Sequence, residues 1–304
     1  LITGSTSGIG LTVANSLDKN KYQLIITGRN KNKINRIVNK LKKNGFDIYG
    51  IKADLSSEND INKLVKNIID KYGKIDVFIN NMYYLPKKIN FINLDINNLK
   101  EQIKVNFTNN IILTNHILKY MKKNNNGRII NISSGASDSI NGNNLPQLYI
   151  ILKKQIERFT KLLSMEIYES NISVTCLKIN GSYSSDMTKR FLKNNNLPSP
   201  DELIPIFKYI LNINKNVING RIINTSSYLN NKFISLLELP YDVDGYYSQE
   251  LLLDKNRIIR DGNNTYKSLL GENFLGMSPK INKLIKNKNW DFSKYPSKGK
   301  KLKK

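Results

Sequence analysis

The stretch LITGSTSGIG, Leu1 to Gly10, decides how the rest of the chain is read. Gly4, Gly8 and Gly10 stand within a run of small residues directly after a short apolar start. A glycine-rich turn between a strand and a helix lets backbone N–H groups approach a phosphate, and the helix N-terminus adds a favourable dipole. A loop of small residues would look the same in isolation, so the order of elements downstream has to carry the reading.

That order is regular. Apolar periodicity alternates between strand and helix patterns. YQLIITG (Tyr22 to Gly28) reads as a buried strand, and NKINRIVNKLKK as a helix through Ile34, Ile37 and Leu41. FDIYGIKAD is extended, INKLVKNIIDKYG helical, and IDVFIN a strand. A long helix is expected from Leu99 to Met121, then strand GRIINISS, helix Leu148 to Tyr168, and strands in SVTCLKI and in GRIIN at Gly220. Near-continuous Val/Ile/Leu strands alternating with helices predict an α/β fold: a doubly wound, mostly parallel, Rossmann-like sheet covered on both faces. Ligands of such sheets bind beyond the carboxyl ends of the strands, where Leu1 to Gly10 is placed. The first strand would ordinarily carry more apolar residues before its turn, so the sequence is expected to begin inside it.

After about Leu239 the pattern ends, which places a boundary there. Residues 1–239 are expected to form the nucleotide-binding domain, and 240–304 a loosely structured extension or linker closing on the basic PSKGKKLKK.

Composition narrows the function classes. The 304 residues carry 48 Lys+Arg against 24 Asp+Glu, a net charge of +24, but the lysines are scattered among asparagines and form no stripe with interleaved aromatics. No specific nucleic-acid partner is expected. Cys176, the one cysteine, excludes an internal disulfide and reads as a small core residue of a strand. His116 stands alone, without metal-ligand partners, so no metal is expected. No stretch is apolar enough to span a membrane, and a cytoplasmic location is expected.

The ordered motifs resemble the short-chain dehydrogenase/reductase family, from Leu1 to about Tyr228. Thr3, Gly4, Gly8 and Gly10 match its TGxxxGxG turn. Asp54 and Leu55 match the pair that holds the adenine, and Asn80 and Asn81 begin its NNAG segment. Asn106 in KVNFT matches a catalytic-site Asn, Ser134 a catalytic Ser, and Tyr149 with Lys153 the YxxxK pair. The resemblance implies a nicotinamide cofactor bound by Gly4, Ser5, Ser7, Gly8, Ile9, Gly10, Arg29, Asp54, Leu55, Asn80, Tyr149, Lys153 and Ser185. It also implies a small alcohol or carbonyl substrate and assembly as a homodimer or homotetramer.

The spacing has its own logic. Tyr149 and Lys153 lie four apart on a predicted helix, so both project from one face. An ammonium beside a phenol favours the phenolate, and a tyrosine so tuned exchanges a proton with a substrate oxygen. Ser134, at a strand end, would hydrogen-bond that oxygen. After the second strand an acidic residue suits the ribose hydroxyls of NAD and an arginine the 2′-phosphate of NADP. Arg29 holds that place, so NADP is expected in preference to NAD.

Departures from the family pattern are equally specific. NNAG reads NNMY, with bulk at Met82 and Tyr83, and Asn180-Gly181 replaces a Pro-Gly. Ser185 stands for a Thr that contacts the nicotinamide carboxamide, Leu152 replaces a small residue, and the Ser134 to Tyr149 interval is slightly long. They leave a second reading open: a cofactor-binding but catalytically impaired member serving a fused domain. In the tail, LLGENFLGMSPKINKLIKNKNWDFSKYPSKG faintly resembles the start of a histidinol-phosphate-type pyridoxal-phosphate aminotransferase, with no cofactor lysine.

Overall fold

A computed structural model of the chain describes residues 1–84, 91–138, 146–185, 188, 196–225, 233–237 and 251–254. Six parallel or near-parallel elements build the central sheet. Strands β1 (Leu24–Gly28) and β2 (Ile48–Lys52) pair in parallel. On the other side β3 (Val77–Asn80), β4 (Gly127–Ser134), β5 (Ile172–Ile179) and β6 (Ile222–Asn224) pair in parallel in that order. Ile2 joins the two halves through parallel bridges to Ile26 and Ile79. Thus the chain leaves Ile2 toward β1 and β2, then crosses to β3 on the opposite side. The reversal of strand order falls at Thr3 to Gly8, the place where a doubly wound sheet opens its ligand crevice.

Helices cover both faces, as the unbroken apolar strands require. One face packs α1 (Gly8–Ser16), α2 (Lys31–Lys43) and α7 (Ile204–Asn212), through Val13, Ile34, Leu41 and Phe207, against Ile26, Ile79 and Ile130. The other packs α3 (Glu58–Tyr72), α5 (Asn109–Lys123) and α6 (Gln147–Glu166), through Ile61, Leu64, Ile117 and Leu163, against Ile25, Phe78 and Val174. Alternate residues of one strand therefore serve two cores, which is why those strands carry no polar face.

Local chemistry sets the helix ends. Asn30 caps α2 by accepting from Lys33 N, and Ser57 caps α3 by accepting from Asp60 N. Helix α3 stops at Gly73, whose φ of 72° is open to glycine, with its N–H donating to Ile69 O.

Two differences from the sequence expectation stand out. The long helix read from Leu99 to Met121 is α4 (Ile96–Ile103), a π-turn over Lys104–Thr108, and then α5. Beyond β6 the sheet continues with antiparallel β7 (Phe233–Leu237) and β8 (Leu251–Asp254), which pair with each other from either side of Leu239. The aminotransferase-like stretch and the basic tail lie outside the described residues, as does most of the segment from Ser139 to Leu148. No helix among the described residues is long and apolar enough to cross a membrane.

Candidate active site

The glycine turn is built around two positive φ angles, 62° at Gly4 and 52° at Gly8, which a side chain would strain. Gly10 is required for a different reason. A Cβ there would lie 2.6 Å from Asn81 Nδ2 and 2.7 Å from Gly4 O. The turn is fastened by buried side chains: Ser5 Oγ donates to Ile2 O (2.7 Å) and accepts from Thr27 N (3.0 Å). Ser5 is thus engaged in holding the turn to β1. Ser7, at the N-cap of α1, makes no capping hydrogen bond, unlike Asn30 and Ser57. The first-turn N–H groups of a helix have no partner within it, so Ser7 Oγ and the N–H groups of Gly8, Ile9 and Gly10 form a donor set suited to an anion. Ile9 turns its side chain onto the core beside α1. These residues fit the pyrophosphate of a dinucleotide.

Neighbouring strand ends frame the turn. Gly28 abuts Thr6, with a built Cβ 2.8 Å from Thr6 Cγ2, so exposed Arg29 follows immediately beside the glycine turn. Gly28 O accepts from Ala53 N, which brings Asp54 and Leu55 to the same edge. Asp54 Oδ1 accepts from Ser56 N (3.0 Å), and Leu55 O from Asn109 Nδ2 (2.7 Å). Ser185 closes the far side: a Cβ on Gly8 would stand 3.0 Å from Ser185 Cβ, and the Ser185 hydroxyl is shared with Thr188.

The four residues after β3 tie the turn to the second half of the site. Thr3 Oγ1 accepts from Asn81 N and Met82 N, and Asn81 Nδ2 donates to Thr3 O and, at 3.3 Å, Gly4 O. Asn80 points elsewhere. Its Nδ2 donates to Asn131 Oδ1 inside the sheet, so it is Asn81 that reaches the turn. The family-like pair signalled both residues, and only their alternation along a strand could have told them apart. Next, Tyr83 and Tyr149 meet as rings at 82° with centroids 5.0 Å apart. Tyr84 follows, held by Asn106 through its backbone: Asn106 Oδ1 accepts from Tyr84 N (2.7 Å) and Nδ2 donates to Tyr84 O (2.8 Å). Both polar atoms of the Asn106 side chain are thereby engaged with the Tyr84 backbone.

Ser134 ends β4 and Tyr149 and Lys153 share one face of α6. Ser134 Oγ accepts from Ala136 N (3.2 Å), and its hydroxyl lies close enough to the Tyr149 phenol to act on it. Lys153 Nζ donates to Ile132 O (2.8 Å) and lies 5.8 Å from the Tyr149 ring centroid. The three residues expected to carry the chemistry are therefore together. Their electrostatics differ from expectation in one respect. Burial raises the Tyr149 phenol above its ordinary value, a rise that the Ser134 hydroxyl opposes, so the lowered phenol expected from the lysine is not what the free chain holds. Burial also brings Lys153 down to about 8, with Cys176 and Glu157 opposing. Desolvation is the largest cause at both residues.

A buried ionic cluster supports this group. Glu157, one turn beyond Lys153, accepts from Ser133 Oγ (2.6 Å) and Ser137 Oγ and pairs with Lys178 (3.2 Å) and Lys154 (3.3 Å). Asp138 completes it with Lys154 and Lys178. It fixes the backbone on both sides of Ser134. Sequence reading missed Glu157, whose signal is an acidic residue on the sheet-facing side of a helix. Cys176 is buried in the core as expected, and burial pushes its thiol up.

Comparison with known proteins bears on the family and the fold. The family model described as short chain dehydrogenase matches residues 1–196. The chain is 29% identical over 238 residues to a 3-oxoacyl-[acyl-carrier-protein] reductase of Aquifex aeolicus, covering 74% of this chain and 94% of that protein. It is 24% identical over 234 residues to rat dehydrogenase/reductase SDR family member 4, covering 72% and 82%. Among solved structures, an actinorhodin polyketide ketoreductase with NADPH superposes with a TM-score of 0.66 at 22% identity over 76% of this chain and 96% of that one. A Brucella melitensis 3-ketoacyl-(acyl-carrier-protein) reductase with NADH gives 0.65 at 23% identity, over 73% and 94%. These two establish the fold. With the family model spanning most of the sheet, the glycine turn and the tyrosine and lysine of α6, the chain belongs to the short-chain dehydrogenase/reductase family of NAD(P)-dependent oxidoreductases.

Proposed function

We propose that the chain is an NADP-dependent oxidoreductase that interconverts an alcohol and a carbonyl, with Tyr149 as acid and base, Lys153 as its electrostatic partner and Ser134 holding the substrate oxygen. The observation that carries this reading is Lys153 Nζ 5.8 Å from the Tyr149 ring on one face of α6, tied by its hydrogen bond to Ile132 O to the strand that ends at Ser134. When bound, the reduced nicotinamide supplies a hydride to the carbonyl carbon. Tyr149, kept protonated by burial, gives its phenolic proton to the carbonyl oxygen. Ser134 donates a hydrogen bond to that oxygen as charge develops on it. The Lys153 ammonium stabilises the phenolate left behind. In the reverse direction the same phenolate takes the alcohol proton.

Arg29 supports NADP over NAD, because a guanidinium beside the turn complements a 2′-phosphate. Gly4, Ser7, Gly8, Ile9 and Gly10 would hold the pyrophosphate, with Asp54 and Leu55 beside the adenine. Exposed Ile151, Leu162 and Met165 on α6 support pairing with a second copy of the chain as a homodimer or tetramer. The second reading, an impaired cofactor binder, is favoured by one observation, the Tyr83 ring packed against Tyr149.

Titration with NADPH and NADH tests the cofactor. NADPH should bind at least tenfold more tightly, and Arg29→Asp should reverse the order. Equal binding of both removes the NADP reading. A screen of ketones, aldehydes and 3-oxoacyl thioesters, the last suggested by the names of relatives, then separates an active enzyme from an impaired one. Tyr149→Phe should retain NADPH binding while turnover falls at least about a hundredfold, the usual scale of general acid catalysis.

A further inference from the structure

The Lys153 ammonium has three N–H donors and, among the described residues, one hydrogen bond, to Ile132 O at 2.8 Å. Its nearest aromatic face belongs to Tyr83 and not to Tyr149. Nζ stands 4.4 Å from the Tyr83 centroid and 5.8 Å from that of Tyr149. An aromatic face attracts a cation within about 6 Å of its centroid, and more strongly where water is excluded. Lys153 is buried, 6% exposed. Tyr83 brings no hydrogen bond of its own to the contact, since its buried hydroxyl has no partner among the described residues. What it offers is the ring.

We propose that Tyr83 is a positioning residue of the oxidoreductase site, holding the Lys153 ammonium on its ring face while packing against the Tyr149 ring, so that the lysine is kept beside the tyrosine it serves. The inference rests on the proton-transfer roles read for Tyr149 and Lys153. It also gives a purpose to NNMY, where family-like sequences place small residues. Tyr83 is itself fixed on both sides: Met82 N donates to Thr3 Oγ1, and Tyr84 is clamped by Asn106. These bonds hold the backbone on either side of Tyr83, and its ring is placed by packing against Tyr149.

Other groups face Lys153 and set the background for a measurement. On its own helix these are Tyr149 and Glu157, and on β5 Cys176, with Lys178 beyond Glu157. Glu157 is already shared among Ser133, Ser137, Lys154 and Lys178. The Glu157 contacts do not involve Tyr83, while its packing on the Tyr149 ring is kept by the aromatic variants, so comparing those variants isolates the charge of the ring face.

The test follows the Lys153 titration by NMR in the full chain carrying labelled lysine, with the signal assigned by its loss in Lys153→Arg. Tyr83→Phe keeps the face and should titrate within about 0.3 units of the parent. Tyr83→Leu, and a fluorinated phenylalanine that keeps the shape but withdraws the face charge, should each lower the lysine by about half a unit to one unit. Should Tyr83→Leu fail to fold, the fluorinated ring decides. A parent-like titration with the fluorinated ring overturns the proposal. NADPH and NADH binding by the parent is measured alongside. Binding together with an unchanged titration removes the role of Tyr83 alone. No binding of either cofactor removes the oxidoreductase reading, and the proposal with it, whatever the titration shows.

Discussion

Asn106 and Tyr84 close a two-point clamp, the amide oxygen accepting from Tyr84 N at 2.7 Å and the amide nitrogen donating to Tyr84 O at 2.8 Å. A side-chain amide here imitates a neighbouring strand, satisfying both backbone groups where the chain leaves β3. The clamp is possible because the π-turn over Lys104–Thr108 rotates Asn106 inward between α4 and α5. Removing it frees Tyr84 and, through it, Tyr83. Asn106→Ala should therefore cost about 1–3 kcal/mol by leaving partly buried backbone groups unpaired. Asn106→Asp should cost more than Ala, since it sets a carboxylate against the Tyr84 carbonyl. Urea midpoints rank the two, and an Asp variant as stable as the parent would contradict the clamp.

The buried lysine makes stability depend on pH in a defined direction. Lys153 titrates near 8 in the folded chain against an ordinary value of 10.5. Below pH 8 both folded and unfolded chains carry the proton, and the folded chain bears the full burial penalty. Between about 8 and 10.5 the unfolded chain holds the proton that the folded chain has released, so this group's contribution to stability rises with pH. Lys153→Met removes that penalty and should stabilise the chain by about 1–3 kcal/mol at pH 7, with the gap narrowing toward pH 9.5. Parallel urea titrations measure the gap, which cancels the common effect of the large positive charge. A gap that widened with pH would reverse the assignment.

Gly10 separates a cofactor effect from a general packing effect. An alanine methyl there would fall 2.6 Å from Asn81 Nδ2 and 2.7 Å from Gly4 O, one a flexible amide and the other backbone. Gly4 cannot retreat easily, because Met82 Cα stands 3.1 Å from its own Cβ position. Gly10→Ala should cost about 1–3 kcal/mol through overpacking. It should weaken NADPH binding at least tenfold by displacing the turn. A control at Gly73, where a built Cβ meets nothing within 4 Å, keeps the local strain of a positive φ but leaves NADPH binding intact.

Local signals made the strands and the glycine turn legible in the sequence. GRIINISS reads as a strand from Gly127 to Ser134 and folds as one, its Ile129, Ile130 and Ile132 buried on both faces of the sheet. Tyr149 and Lys153 were legible through the ordered motifs that resemble the family, with their four-residue spacing placing both on one helix face. The break in the Leu99 to Met121 helix was not, since the apolar period runs on through KVNFT and the interruption is set by Tyr84, distant in sequence. The direction of the Tyr149 phenol was misjudged for the same reason: a four-residue spacing places a charge beside it, whereas the extent of burial depends on Tyr83 and the strands behind. Helix α7 and the β7 and β8 pair went unread, as short elements whose apolar residues match either period.

The boundary proposed near Leu239 can be tested by cutting the chain there and, separately, after Asp254. The described contacts of the glycine turn and of Ser134, Tyr149 and Lys153 are made by residues before Asn224. The cut after Leu239 removes β8 and leaves β7 as an uncovered edge beside β6, whereas the cut after Asp254 keeps the pair. An uncovered edge strand invites pairing with other chains. Both truncated chains should bind NADPH within about twofold of the full chain, a shift under about 0.4 kcal/mol. The shorter should show the greater tendency to aggregate, read by light scattering on warming. Loss of NADPH binding only in the shorter chain would make β8 part of the cofactor-binding domain and move its boundary to Asp254 or beyond. Loss in both would extend the domain further into the tail.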